Sequence, residues 1–289
     1  MVNHSKRTFS GLFRIACILL LCLTCPLIVG AAEHPLEKMD IPADMDKAME
    51  AYQNSDYKTA RDLASQNQDH IIARLILHLS DVHDSTNQNY GTGLAGLKEI
   101  FEDEELNPWL RAEAALSYAR TIQVFQVRER FLSEYGEVDV EKIFRDVIEW
   151  VPESKQACTA VMYISDQYLL GETTEERISK GFKILEDFIR EYKGDQKNLV
   201  AVHLFLDPCY IDLRRNYEQS VKHLKRALEL GISNSSSERA AVFRIARISD
   251  AVLGDKEQAR QYYERFLKNY EYAREVPLVK NYLEELNAE

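Results

Sequence analysis

Hydrophobic and small residues recur at steps of three and four along most of the chain, which is the spacing of one face of an α-helix. The clearest stripe comprises Ala259, Tyr262, Tyr263, Phe266 and Leu267. We find no sustained alternation of hydrophobic and polar positions of the kind that indicates β-strands. The pattern therefore predicts an all-α protein from about residue 42 onward.

These stripes, together with the capping residues and glycines that bound them, predict about thirteen helices. The predicted spans are 43–53, 56–66, 69–82, 91–104, 108–129, 138–149, 154–169, 174–192, 196–213, 216–230, 236–252, 255–269 and 274–287. No stretch between them is rich enough in Pro, Gly or Ser to divide the helical region into separate domains.

Several helix starts are predicted by a capping side chain three residues before Glu or Gln. The pairs are Asn216–Gln219, Asp255–Gln258, Thr173–Glu176 and Ser235–Glu238. Pro208 falls inside a predicted helix that runs from about residue 198 to 213. Because proline has no backbone N–H, it predicts a kink or a break there.

Small residues repeat at a fixed spacing in the second half of the chain. Gly181, Ser220 and Ala259 are 39 residues apart, and a matching apolar stripe follows each of them. A period between about 20 and 50 residues is typical of stacked supersecondary units. Because the stripes are helical, the repeating unit is predicted to be a pair of helices.

The second helix of these pairs resembles the tetratricopeptide repeat. Tyr217, Ser220 and Leu224 match its order of Tyr, small residue and large apolar residue, and Tyr90 with Gly93 begins a similar stretch. The segment from Gly254 to Tyr263 resembles the turn and second helix of a repeat. The resemblance implies a right-handed superhelix of about six antiparallel helix pairs, a TPR-like solenoid that binds a protein or peptide on its concave face.

In that family, a residue of the first helix about fifteen positions before the small residue faces the concave surface. The residues at this place, which the resemblance implies form a partner groove, are Met45, His78, Asp166, Phe205 and Arg244. Among exported members, the chain is most similar to bacterial envelope proteins that act as scaffolds or assembly factors.

The N-terminus has the pattern of a secretory signal. Basic residues up to Arg14 precede an apolar run over 15–29, and Ala31 and Ala32 follow it. We therefore expect a signal peptide at 1–32, a linker at 33–41 and a TPR-like helical repeat domain at 42–289. The expected location is the periplasm or cell envelope, and the alternative is an uncleaved membrane anchor.

The net charge disfavours two classes of partner, and the cysteine count disfavours a disulfide-stabilised fold. Removal of residues 1–32 would change the net charge from −11 to −14, which disfavours nucleic acid and anionic membranes as partners. Only Cys158 and Cys209 would remain, too few for a disulfide framework. The register places them about twelve residues apart along neighbouring first helices, so we expect no disulfide between them.

Candidate chemical motifs are weak. Gly91, Gly93 and Gly96 spell the dinucleotide-binding pattern but lack a preceding strand, so we interpret them as packing residues. His78 and Asp81 lie one turn apart without a well-spaced third metal ligand. With no nucleophile motif either, the sequence predicts no catalytic, cofactor or metal site. A glycan-active or glycan-binding envelope protein built on a helical solenoid stays open as the alternative.

Overall fold

The structure, a computed structural model, describes residues 43–84, 90–126, 138–170 and 174–288. Within these ranges it contains thirteen α-helices and no β-strand, which confirms the all-α prediction. The predicted signal peptide at 1–32 and linker at 33–41 lie outside the described residues. The described residues divide into two compact units, one ending at Pro152 and the other beginning at Glu153.

The helices begin and end within a few residues of the predicted positions. Their bounds are α1 Ala43–Gln53, α2 Tyr57–Ala64, α3 Ile71–His83, α4 Tyr90–Glu102, α5 Pro108–Gln126, α6 Val140–Trp150, α7 Lys155–Leu169, α8 Glu175–Glu191, α9 Val200–Cys209, α10 Tyr217–Leu230, α11 Ser235–Ile248, α12 Lys256–Asn269 and α13 Val276–Ala288. Short 3₁₀ turns at Ser65–Asn67 and Gln196–Leu199 follow α2 and precede α9.

Polar side chains set most of the helix starts. Asn216 and Asp255 accept hydrogen bonds from the backbone N–H groups of Gln219 and Gln258, as predicted. Two predicted caps were wrong by one residue. The capping residue of α11 is Asn234, not Ser235, because its Oδ1 accepts from the N–H of Ser237.

The other corrected cap belongs to α8. Thr174 accepts from the backbone N–H of Arg177, so it holds the position that was predicted for Thr173, which lies outside the described residues. In both cases two adjacent residues had capping side chains, and the periodicity alone did not separate them.

In the first unit, each of the helices α1 to α5 packs against the next one along the chain, up to α6. The contact surfaces are apolar and closely packed, and Ile76, Leu97 and Phe144 are almost completely buried. This arrangement of sequential neighbours is typical of helical repeat proteins, in which contacts are mainly local.

In the second unit, α7 packs against α8, α9 against α10 and α11 against α12, and α13 covers α12. The first helices α7 and α9 also contact each other. Tyr263 and Phe266 of α12 are fully buried with Val279 and Leu286 of α13. Three helix pairs and a closing helix therefore form this unit.

The small residues of the repeat lie where the two helices of a pair approach most closely. A Cβ atom added to Gly181 would lie 2.7 Å from the Leu169 side chain, and one added to Gly93 would lie 2.8 Å from Cβ of Asp81. Ser220 and Ala259 are fully buried at the matching positions. The register identified from sequence is thus a helix-packing register.

The chain does not break at Pro208. It continues as α-helix to Cys209 and then as a π-helix over Tyr210–Arg214. A second π-helix, Ser249–Leu253, follows α11 and begins 39 residues after the first one. The position equivalent to Pro208 is Arg247, so no proline precedes the second π-helix. The π-helix therefore belongs to the repeat and does not depend on a proline. The predicted break at Pro208 was wrong, because the chain stays helical through it, and the alternative, a kink, stays a prediction.

The backbone carbonyl of Glu153, at the beginning of the second unit, is hydrogen-bonded by the residue that ends α8. The Tyr192 hydroxyl donates to the carbonyl oxygen of Glu153 at 2.8 Å, and Asn198 Nδ2 donates to the same hydroxyl at 2.9 Å. Gly194 lies so close that a Cβ there would be 2.2 Å from that oxygen.

Cys158 and Cys209 of this unit are buried and form no disulfide, as the register predicted.

Candidate binding cleft

An open cleft of about 710 Å³ lies in the second unit. It is bounded by the end of α8, the 3₁₀ turn before α9, one face of α10 and the turn that leads into α12. Its lining residues are Ile189, Gln196, Leu199, His203, Glu218, Val221, Lys222, His223, Lys225, Arg226, Glu229, Leu253 and Gln258. Residues from all three helix pairs of the second unit therefore contribute to one surface.

The floor of the cleft is apolar, whereas its rim is charged. Leu199 and Val221 are buried in the floor. Lys222, Arg226 and Glu229 are exposed along α10, because residues three and four apart share a helix face. Arg226 forms an ion pair with Glu229 at 3.1 Å, which is worth little in water but orients both side chains.

The rim carries more positive than negative charge. Lys222, Lys225 and Arg226 contribute three cations, and Glu218 and Glu229 contribute two carboxylates. The Lys225 ammonium also donates to Gln258 Oε1 of α12, which connects two successive helix pairs. The excess is small, but it contrasts with the net charge of −11 of the whole chain.

Two histidines meet at the buried side of the cleft. The Nδ1 atoms of His203 on α9 and His223 on α10 are 2.8 Å apart, and the ring centroids are 5.1 Å apart. The Tyr210 ring stacks on His223 at 5.2 Å, and its hydroxyl donates to the Glu186 carboxylate. The pair therefore joins the two helices of one repeat.

Burial keeps both imidazoles neutral. Desolvation, followed by the nearby Arg226 guanidinium, lowers the pKa of His203 to about 4, and Glu229 opposes this. Desolvation, the neighbouring His203 and then Lys222 lower the pKa of His223 to about 4. At neutral pH, one Nδ1 is then a donor and the other an acceptor.

A second polar cluster lies beside the histidines. The Ser220 hydroxyl donates to Asp207 Oδ1 at 2.6 Å, and Arg244 Nη2 donates to the same oxygen at 3.2 Å. Burial raises the pKa of Asp207, because desolvation exceeds the opposing effect of Arg244. The small residue of the repeat register thus has a polar role in this pair.

The five predicted groove residues occupy different environments. Met45 is fully buried, so in this structure its side chain belongs to the core of the first unit. The others, His78, Asp166, Phe205 and Arg244, are partly exposed. None of the five lines the cleft. That they form a partner groove stays a prediction.

Asp166 is unusual among these residues. Its Oδ1 atom is buried and has no hydrogen-bond partner, and burial raises the pKa of the carboxyl group to about 7. Arg244, in contrast, is already engaged by Asp207. His78 Nδ1 is likewise buried without a partner, so two of the predicted groove residues have a polar atom that is costly to leave unpaired.

The weak chemical motifs of the first unit serve packing and local hydrogen bonding. Gly91, Gly93 and Gly96 lie within α4, and a Cβ on Gly96 would be 2.2 Å from Nε2 of His78. His83 Nδ1 is 2.7 Å from the Tyr52 hydroxyl, whereas His78 packs against Gly96, so the two histidines have different neighbours. Within the described ranges, no group of three His, Cys, Asp or Glu side chains is placed to hold a metal ion.

The sequence did not indicate the histidine pair, although a signal was present. His203 lies 17 residues before Ser220, the same place that Ile164 and Val242 occupy before Gly181 and Ala259. Ile164 and Val242 are fully buried. The signal was therefore an ionisable residue at a position where the other repeats have a buried apolar residue, which indicates a buried histidine.

In a comparison with known protein families, the third helix pair of the second unit matches a known repeat. Residues 240–271 match a tetratricopeptide repeat family. This range holds most of α11, the turn at Gly254 and all of α12, including the register residue Ala259. No curated protein matches the chain. Across the part of the chain that the structure describes, no helix is both long and apolar enough to span a membrane.

Proposed function

We propose that this chain, a helical repeat protein of the tetratricopeptide-like kind, is a scaffold that binds a protein or peptide partner and catalyses no reaction. The observation that carries the proposal is the open cleft of the second unit, which combines an apolar floor with a charged rim. Such a surface suits an extended or helical segment that buries a few apolar side chains and places polar groups at the edge.

The distribution of acids supports a scaffold over the glycan-cleaving alternative. Glycosidases use two carboxyl groups about 5–10 Å apart across one site. Glu218 and Glu229, the acids of the cleft, are eleven residues apart on the same helix. At 1.5 Å per residue they are separated by about 16 Å along the α10 axis. This spacing favours rim contacts with a partner.

We further propose that the scaffold acts outside the cytoplasm, in the periplasm or cell envelope. The support is the N-terminal sequence, in which basic residues, an apolar run and small residues follow one another in the order of a signal peptide. Determination of the N-terminal residue of the protein purified from cells tests this directly. Retention of Met1 in the purified protein would contradict cleavage.

Site-specific photo-crosslinking tests the binding cleft. A photoreactive residue at Lys222, in the cleft, is compared with one at Lys268, which is also exposed but lies on α12 outside the cleft. We expect one or a few discrete partners to be crosslinked in intact cells from position 222 and not from position 268.

The partner identified in this way is then purified and its affinity measured. The double variant Lys222→Glu, Arg226→Glu should weaken binding by about tenfold or more, since each rim contact contributes about 1 kcal/mol, whereas Lys268→Glu should leave binding unchanged. Equal crosslinking from both positions, or equal affinities of the variants, would contradict the cleft as the binding surface.

A further inference from the structure

We propose that the contact between His203 and His223 is a proton-sensitive switch that holds α9 against α10 at neutral pH and separates them when the pair becomes doubly protonated. The geometry is specific: two buried imidazoles from the two helices of one repeat face each other through their Nδ1 atoms at 2.8 Å. The inference needs no partner, so it can fail while the scaffold proposal holds, and the reverse.

The chemistry of the pair gives the switch two steps. With two neutral imidazoles, one Nδ1–H donates to the other Nδ1. After one proton is bound, the imidazolium still donates to the neutral ring, so the contact survives. A second proton places N–H donors on both sides of the 2.8 Å gap, and neither Nδ1 can accept. The contact then becomes a repulsion between two cations, and the two rings titrate as a coupled pair.

The charges around the pair oppose double protonation. On α10, Lys222 acts on His223, while Arg226 disfavours and Glu229 favours the charged form of His203. The Glu186 carboxylate of α8 is bound by the Tyr210 hydroxyl.

On α9, Asp207 lies one turn after His203 but is already engaged by Ser220 and Arg244. Among the described residues, the carboxylate that favours the charged form of His203 is Glu229, and it is itself paired with Arg226, so the second positive charge favours separation of the rings.

Separation of the rings would alter the cleft. His203 and His223 both line it, and His223 also carries the stacked Tyr210 ring of the π-helix. Movement of His223 removes that stacking contact and one of the links between α9 and α10. Two further positive charges would join Lys222, Lys225 and Arg226, so the acidified cleft would be both more open and more cationic.

The sign of the pH effect follows from the two pKa values. Both histidines have a folded-state pKa of about 4, below the ordinary value of 6.5. Their neutral forms therefore stabilise the contact fully above about pH 6.5, and this contribution decreases as the pH falls from there to about 4. Acidification opens the pair, and neutralisation closes it.

Hydrogen–deuterium exchange of the full chain between pH 7 and pH 4.5, corrected for intrinsic exchange rates, tests the switch. The variant His203→Asn keeps a group that can hydrogen-bond to His223 but cannot take up a proton. The control His70→Asn removes another histidine at a site where asparagine can still cap α3, because His70 Nδ1 accepts from the N–H of Ile72.

We expect protection of the α9 and α10 amides to fall by about tenfold or more in the wild-type protein and in His70→Asn, and by much less in His203→Asn. An equal loss of protection in all three proteins would overturn the proposal. Should His203→Asn fail to fold, NMR titration of the wild-type imidazoles decides: titration of both rings near pH 6.5 would also overturn it.

Discussion

At the scale of single residues, the repeat uses one position for different interactions. Gly181 leaves room for Leu169, Ala259 fills its place without a polar group, and Ser220 donates to a buried carboxylate. What the three share is small volume at the closest approach of two helices. In all three repeats the position holds a small residue, and at Gly181 even a Cβ atom would crowd the Leu169 side chain.

A substitution at this position gives a direct test. Ala259→Arg should lower the free energy of unfolding by about 3 kcal/mol or more, because a long charged side chain would be forced into a fully buried contact. Glu105→Arg, at an exposed residue between α4 and α5, should change it by less than about 0.5 kcal/mol. Urea unfolding of both variants measures the difference, and similar shifts would contradict the packing register.

At this scale, contacts within one helix turn were predictable from the sequence, and contacts between helices were not. The capping roles of Asn216 and Asp255 were predictable, since a cap depends only on residues within one turn. The contact between His203 and His223 was not, because it depends on how two helices with a π-helix between them place residues 20 positions apart. Met45, which the register counts into the groove, is fully buried in this structure, and its place in a groove stays a prediction.

At the scale of elements, the thirteen helices were predictable because hydrophobic periodicity and glycine ends are local signals. The two π-helices were not predicted, and the break predicted at Pro208 was wrong, because the chain stays helical across it. Each π-helix is followed by a residue in the left-handed conformation, Arg215 with φ 52° and Gly254 with φ 67°. A left-handed end after a wide turn is thus a repeated element of this fold.

The two left-handed positions differ in residue type, which makes a matched pair of variants. Gly254→Ala should destabilise the protein by about 1 kcal/mol, because a Cβ is disfavoured at positive φ. Arg215→Gly should stabilise it by about 0.5 kcal/mol, since it relieves the same strain at a cost in unfolded-state entropy. Thermal unfolding of both variants checks the signs, and destabilisation by Arg215→Gly would show that its side chain has a structural role.

At the scale of the whole molecule, the helical content of the described residues predicts the spectroscopic behaviour of the protein. The far-UV circular dichroism spectrum should be that of an α-helical protein, with a negligible strand contribution. A substantial strand signal from the purified chain would contradict the fold. The division into two compact units is the feature of this scale that the sequence did not reveal, because no linker composition marks the boundary at residue 152.

The carbonyl group of Glu153 has a practical consequence for anyone who wishes to produce the second unit as a recombinant fragment. A fragment that starts at Lys155, the first residue of α7, would lack the acceptor of the Tyr192 hydroxyl and the surface on which Gly194 packs. A fragment that starts at or before Glu153 retains both. The appropriate cloning boundary is therefore set by one main-chain oxygen, two residues before the helix begins.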